Sequence, residues 1–571
     1  MSAIKFFAFA IALAFALTMP AAAEDPSGGW AGVLKAPNGE LHVALHLQKS
    51  ADGTYSGTLD SLDQGANGLP VSDVKMSADT LSFDLAEPPA RYEGKWDAAS
   101  KSWIGTWSQY GISMALNFTR GGPAASAAAA PAPKVEGLDG DWDGALQAGG
   151  VRLRVALHVK TTTTNGTVAS LDSIDQASMG IPVSAISHDG NSVSFKVAVV
   201  HGGFTGTLDA SGQTITGQWT QGTPLPLTLT RRAAGVQQQT LNRPQTPVKP
   251  YPYREEEVTF EDGTVHLAGT LTLPKGAGPF PAVVLIAGSG PQTRDENVLG
   301  HQIFLVLADH LTRQGIAVLR FDKRGVGASK GDYGKATTED FADDAQAAFT
   351  FLKAHADIDP HHVGLIGHSE GGLIAPIIAA RDSSVAFVVL MAGPGVNGAR
   401  ILSEQGRLMA KAMGMSDAEV EKTSALRDQA IAIVKTETDP AVAEAKVRSL
   451  LATSGLPKAV VDMQAKFLAS DWMRLFFTID PAVALRQVRC PVLAIGGSKD
   501  LQVPAEESLA AIKAALSANP DVEVRELPNL NHLFQTAKTG SLGEYALSEE
   551  TIAPSVLTLI SGWILEHAHR M

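Results

Sequence analysis

The sequence predicts a mostly parallel α/β sheet with helices on both faces and a helical cap, preceded by two repeated all-β modules. Three observations carry this. Separated blocks recur at one offset in the first part of the chain. From about Tyr253 apolar strands begin to alternate with helical segments. Within that alternation, a Gly-flanked serine sits between an apolar strand and a helix. A chain of 571 residues is too long for a single core, so several domains are required.

The N-terminus reads as a leader. Lys5 supplies the positive charge, Phe6 to Thr18 is continuously apolar, and Ala21-Ala22-Ala23 offers a small-residue cleavage site before Glu24. The apolar run is shorter than the ~20 residues of a spanning helix. Residues 1–23 are therefore expected to be removed, giving an exported chain, periplasmic or extracellular, with no membrane span.

Residues 24–121 and 136–232 form the repeat. Leu59-Asp60-Ser61-Leu62-Asp63-Gln64 recurs as Leu171-Asp172-Ser173-Ile174-Asp175-Gln176. Trp30 and Trp107 recur as Trp142 and Trp219, both 112 residues later. Alternation such as Val151-Arg152-Leu153-Arg154-Val155-Ala156-Leu157, broken by Asp-Gly, Asn-Gly and Ser-Gly turns, predicts antiparallel strands and a small barrel or sandwich. The recurring tryptophans fit core positions better than exposed sugar platforms. Residues 122–135, rich in Ala and Pro, and 233–252, rich in Gln and Pro, read as linkers. Few contacts are expected to cross the second, so the part after Val248 should act alone.

In residues 253–571 the strands are expected at Val258–Phe260, Leu267–Leu273, Ala282–Ala287, Ala317–Phe321, Val363–Ile366, Phe387–Met391, Val492–Ile495 and Val522–Leu527. Strand–helix alternation of this kind gives a parallel sheet covered on both faces. A charged, Ala-rich helical insertion at about 396–480 reads as the cap.

Gly367-His368-Ser369-Glu370-Gly371 follows Val363–Ile366 and precedes a helical run, the context of a nucleophile elbow. A serine hydroxyl needs a base. His532 follows the last strand, and Asp500, in Gly496-Gly497-Ser498-Lys499-Asp500, follows the strand before it. This gives Ser369 as nucleophile, His532 as general base and Asp500 as the acid that orients it. Asp480 is the runner-up acid. His368 lies within the elbow and is set aside. The oxyanion donors are expected to be the backbone N–H groups of Glu370 and of Ser289, in Gly288-Ser289-Gly290-Pro291.

With those motifs, and with Arg320-Phe321-Asp322-Lys323-Arg324-Gly325-Val326-Gly327-Ala328-Ser329, residues from about 253 onward resemble the α/β-hydrolase superfamily. More narrowly they resemble bacterial carboxylesterases grouped with serine aminopeptidase-like and dipeptidyl-aminopeptidase-like hydrolases. The resemblance implies hydrolysis of short-chain acyl esters, a cap over the site, and a structural role for the Asp322–Ser329 loop. Ser369 excludes the Asp-nucleophile chemistry of haloalkane dehalogenases, which are similar in that loop. Trp472 and Phe476, in the aromatic end of the cap, are candidates for the substrate pocket.

Three readings stay open: an esterase for small esters, a peptidase or amidase with the same triad, and an envelope or polysaccharide-binding protein with an accessory hydrolase. An aminopeptidase needs a carboxylate for the substrate amine, and Glu370 or a cap residue is the candidate. The net charge of −13 argues against a nucleic-acid partner. The reading calls for no cofactor and no metal, and Cys490, the single cysteine, supports neither a disulfide nor a Cys-based metal site. Nothing in the sequence points to an oligomeric state.

Overall fold

The computed structural model describes residues 25–568, apart from 121–133 and the stretches 37–38, 51–52, 62–65, 78, 86–89, 110–111, 149–150, 163–165, 177, 201, 222, 234, 237, 239–240 and 457. The leader at 1–23 and most of the 122–135 linker lie outside the described residues, as does part of the Leu59–Gln64 motif. The chain divides into two compact units, residues 1–107 with 114–129, and residues 130–571 with 108–113.

The first module is an eight-stranded antiparallel meander from Gly28–Ala36 to Ile112–Arg120, closed into a barrel where Trp30 pairs with Arg120. Its strands obey the two-residue period. Along Ala90–Asp97, Ala90, Tyr92 and Gly94 face inward while Arg91, Glu93 and Lys95 face outward. The barrel is filled by side chains, with Trp30, Phe83, Tyr92, Trp103 and Phe118 all buried. Gly94 and Gly105 flank the Tyr92 ring, where a Cβ would collide with it.

The second module is a nine-stranded sheet that runs Ser178–Pro182, Gly166–Ser173, Val151–Thr162, Gly140–Ala148, Thr223–Arg231, Thr214–Gln221, Gly202–Leu208, Ser192–Val197, Ala185–Asp189. The long strand Ala66–Ser77 of the first module corresponds in order to two pieces here, Ser178–Pro182 and Ala185–Asp189. Several pairings occur in both modules. Trp30 Nε1–H donates to Pro26 O at 2.7 Å, and Trp142 Nε1–H to Leu138 O at 2.9 Å. Arg120 lies over Trp30, and Arg231 over Trp142. His46 meets Asp60 at 3.0 Å, and His158 meets Asp172 at 2.9 Å. Trp30, Trp107, Trp142 and Trp219 are 0–4 % exposed, so none of them is free as a stacking platform.

The C-terminal region carries an eight-stranded sheet. Its strands are β1 (Arg254–Asp262), β2 (Val265–Leu273), β3 (Phe280–Ile286), β4 (Ala317–Phe321), β5 (Ile358–His368), β6 (Val388–Met391), β7 (Val492–Gly497) and β8 (Val522–Leu527). The spatial order is β1-β2-β4-β3-β5-β6-β7-β8. The β1–β2 and β2–β4 pairs are antiparallel and the rest are parallel. Alternate residues of β3 serve opposite faces. Ala282, Val284 and Ile286 pack against α2 (Thr338–Lys353) and α3 (Gly371–Arg381), and Val283 and Leu285 against α1 (Ile303–Arg313) and α12 (Pro554–Ala568). Double coverage explains why the strand is apolar without alternation.

Between β6 and β7 lie α4 (Gly398–Ala412), α5 (Asp417–Thr436), α6 (Pro440–Leu451), α7 (Lys458–Leu468), α8 (Asp471–Thr478) and α9 (Pro481–Leu485). Ala430, Val434, Val447, Ala465, Met473 and Phe477 give this insertion its own core. The remaining helices are α10 (Ala505–Ala515) and α11 (Leu542–Leu547). Among the described residues no helix is long and apolar enough to cross a membrane.

One expectation is overturned. The 233–252 segment does not run free of the region after it. Arg243 donates to Leu299 O, Ala546 O and Ser548 O, and Gln245 both accepts from Thr551 and Ile552 N–H and donates to Ile552 O. Gln238 donates to Asp172 of the second module at 2.7 Å. A Gln- and Pro-rich composition marks the segment as irregular, but its side chains find main-chain partners some 300 residues away. α11 also packs on Val151–Thr162 of the second module, so the second module and the α/β region share one compact unit.

Candidate active site

β5 ends at His368 and α3 begins at Gly371, with Ser369 between them at φ +53°. That left-handed value is costly for a residue with a Cβ and marks a strained turn. It is held by Ser369 N–H donating to Met391 O at 2.9 Å, at the end of β6. The flanking glycines are steric requirements. A Cβ on Gly367 would overlap Gly371 O, and one on Gly371 would overlap Ile286 O. Strand, turn and helix are thereby pressed together, which lifts Ser369 above the strand ends.

His532 lies on the loop after β8, shaped by Asn531, whose Oδ1 accepts from Leu533 and Gln535 N–H. Its Nδ1 is 2.7 Å from Asp500 Oδ2, and both residues are buried. Asp500 Oδ1 accepts from the N–H groups of Gln502 and Val503 at 2.8 and 2.9 Å. With both carboxylate oxygens engaged, the acid cannot swing away. The bond to Asp500 puts the neutral imidazole's proton on Nδ1 and leaves Nε2 as a free acceptor. No hydrogen bond joins Ser369 Oγ to His532, a contact that commonly tightens only with substrate bound. The His532 ring stands 4.9 Å, centroid to centroid, from that of His368, the residue next to Ser369.

The runner-up acid is placed elsewhere. Asp480 accepts from Ala482 N–H at 3.0 Å and caps α9.

Facing Ser369 is the loop after β3. A Cβ on Gly288 would lie 3.1 Å from Ser369 Cβ. Gly288 N–H is already committed to Glu296 Oε1 at 2.6 Å, so Ser289 is the next donor along that loop. The N–H of Glu370, at the start of α3, has no protein acceptor among the described residues, and neither has that of Ser289.

The Glu370 side chain is 3 % exposed and fully engaged. Oε2 accepts from Lys323 Nζ at 2.9 Å, and Oε1 accepts from Thr338 Oγ1 at 2.8 Å and from the Trp472 indole N–H at 2.6 Å. It is therefore not free to receive a substrate amine, and the sequence-based suggestion that it does so is corrected. Trp472 is stacked on Phe476, with ring centroids 5.2 Å apart and planes within 7°, and Phe467 flanks it at 6.1 Å. The candidate pocket residues thus form one aromatic stack tied to the residue after Ser369.

The Asp322–Ser329 loop is structural, as its resemblance implies. Asp322 holds Arg294 through both carboxylate oxygens and also accepts from Ala328 N–H. Arg324 binds Asp262, Asp340 and Asp344. Lys323 is the exception, because it reaches Glu370. Burial pushes the Cys490 thiol up to about 12, which leaves little thiolate for chemistry.

Sequence reasoning missed Glu296 and the use made of His368. Glu296 is 1 % exposed at φ +47°. It adjoins Asp295 and Arg294, and nothing in that charged run distinguishes the one side chain that turns inward.

Residues 301–536 match the family model for serine aminopeptidase, S33. The esterase EstD of Thermotoga maritima is 29% identical over 320 residues, covering 56% of this chain and 69% of that protein. The thiohydrolase aneE of Aspergillus aculeatus is 32% identical over 138 residues, 24% of this chain and 40% of its own length. Among solved structures, an esterase from Pyrococcus furiosus aligns at 16% identity and TM-score 0.36, covering 58% of this chain and 98% of that one. The parallel sheet with its Ser369 turn, the family match over residues 301–536 and the Thermotoga relative together support an esterase-like α/β hydrolase in the C-terminal region of this chain.

Proposed function

We propose that this chain is an exported serine hydrolase that cleaves carboxylic esters of small or short-chain acyl groups through an acyl-enzyme on Ser369. The observation that carries the reading is the His532–Asp500 bond, locked by two backbone donors, beside a serine at φ +53°. Ser369 Oγ attacks the ester carbonyl while His532 Nε2 takes its proton. The oxyanion is received by the Glu370 and Ser289 N–H groups. Collapse expels the alcohol, which takes the proton from His532. Water then repeats the sequence on the acyl-enzyme, releasing the acid and restoring Ser369.

The engagement of Glu370 favours ester over aminopeptidase substrates, since the carboxylate that follows the nucleophile in the chain is spent on Lys323, Thr338 and Trp472. Trp472 and Phe476 are assigned to the wall of the acyl pocket. The pairings found in both all-β modules support a duplication, and the buried tryptophans count against a sugar-binding role. The test is a panel of chromogenic acyl esters against aminoacyl anilides, on the pure protein and on Ser369→Ala. Turnover of short esters lost in Ser369→Ala is the expected result, and anilides cleaved faster than every ester would overturn it. Export is tested separately: N-terminal sequencing of the protein recovered from outside the cytoplasm should begin at Glu24.

A further inference from the structure

Beneath the elbow lies a second histidine–carboxylate pair that the hydrolytic steps do not use. His368 and Glu296 are 2 % and 1 % exposed. His368 Nδ1 is 2.9 Å from Glu296 Oε1, and His368 Nε2 is 3.0 Å from the backbone carbonyl of His532. The same Glu296 Oε1 accepts the N–H of Gly288 at 2.6 Å. One chain of hydrogen bonds thus runs from the loop facing Ser369, through Glu296 and His368, to the residue bearing the base.

The hydrogen-bond partners constrain the protonation. A carbonyl only accepts, so His368 Nε2 carries a proton. Oε1 accepts from Gly288 and stands within hydrogen-bond distance of Nδ1, where a second ring proton makes His368 an imidazolium facing Glu296. Burial alone disfavours that charged form, yet the charge and hydrogen bond of Glu296 and the His532 carbonyl hold His368 above its ordinary value. A buried pair of this kind contributes little net stability compared with apolar residues. Its bonds instead fix two loops relative to each other.

We propose that Glu296 and His368 are positioning residues, a buried ion pair that holds the Gly288–Ser289 loop and the His532 backbone in register across Ser369. This rests on the assignment of Ser369, His532 and Ser289 above. A neutral Gln at 296 cannot substitute. One oxygen must accept both from Gly288 and from a ring nitrogen, while the other ring nitrogen must still donate to His532 O. A neutral imidazole has one N–H, so one link is lost.

The test uses the full chain with a p-nitrophenyl ester of a short acid. Ser369→Ala is measured first, and if it still hydrolyses the ester, the site assignment fails and this inference with it. With Ser369→Ala inactive, Glu296→Gln is expected to lower kcat by about tenfold or more with KM within about threefold, because placement for the chemical step is lost and not ground-state binding. Labelling of Ser369 by a fluorophosphonate should slow in parallel. A folded Glu296→Gln protein with a smaller loss in kcat, or with its loss confined to KM, overturns the proposal. If Glu296→Gln does not fold, histidine-selective ¹⁵N spectra decide. They are taken on protein carrying Asp500→Asn, where the His532–Asp500 signal is altered, and His158→Gln, which removes the other histidine held protonated at that pH. A remaining histidine with both ring nitrogens protonated at pH 8 supports the pair, and a neutral His368 overturns it.

Discussion

Ser369, the proposed nucleophile, takes most of its geometry from its neighbours. Asp500 is pinned by Gln502 and Val503, and His532 by Asp500. Removing one member of such a unit forfeits what the others contribute. Ser369→Ala should lower ester turnover by several orders of magnitude, and adding His532→Ala should do little more. Asp500→Asn should cost roughly a hundredfold or more, because the amide favours the wrong imidazole tautomer. Initial rates on a short-chain ester check all three, and full activity in Asp500→Asn would remove Asp500 from the mechanism. At this scale the residues proposed as the triad were legible because each follows a recognisable strand or turn. Glu296 was not, since its partners His368 and Gly288 are fixed only once β3 and β5 lie side by side.

Among the elements, the β5–turn–α3 unit is the tightest junction near the site. Gly371 stands against Ile286 O and Gly372 against Gly393, with main chain on both sides, so neither neighbour can move aside as a flexible side chain would. Gly371→Ala should destabilise the C-terminal region by about 1–3 kcal/mol and displace the Glu370 N–H, so that activity falls by more than stability alone accounts for. Urea unfolding with parallel turnover measurements separates the two losses, and a variant of normal stability and rate would refute the steric reading. Strand positions were readable because double coverage by helices leaves apolar runs. Their ends were less so. β5 starts at Ile358, where Phe280 pairs with it across an irregular register, and the polar residues Asp359, His361 and His362 conceal that beginning. The cap's placement followed from its composition, but Trp472's bond to Glu370 did not, because helical periodicity does not say what a helix face touches.

For the whole molecule, two histidines, His158 half-buried and His301 buried, give stability opposite slopes with pH. The Asp172 hydrogen bond, against the cost of burial and with help from Asp141, raises His158 from 6.5 to about 9. A raised folded value means its contribution is complete below about pH 6.5 and is lost as pH rises through about 9. Burial, with Arg243 nearby, lowers His301 from 6.5 to about 4, so its contribution is complete above pH 6.5 and is lost as pH falls toward 4. Thermal midpoints between pH 5 and 10 should decline on both sides, and His158→Gln should flatten the alkaline side alone. The docked linker alters a second expectation: a chain starting at Val248 loses Arg243, Gln245 and the second module, and should unfold at lower temperature than one starting near Lys134. The linker's anchoring was hidden from the sequence because a lone Arg among Gln and Pro carries no sign of its acceptors. Those acceptors, the carbonyls of Leu299, Ala546 and Ser548, form a socket shaped for a planar cation. A socket of that shape does not require its cation to be tethered. In Arg243→Gly, millimolar guanidinium, far below the molar concentrations that unfold proteins, should enter it and restore part of the lost thermal midpoint, where the same concentration of sodium chloride does not.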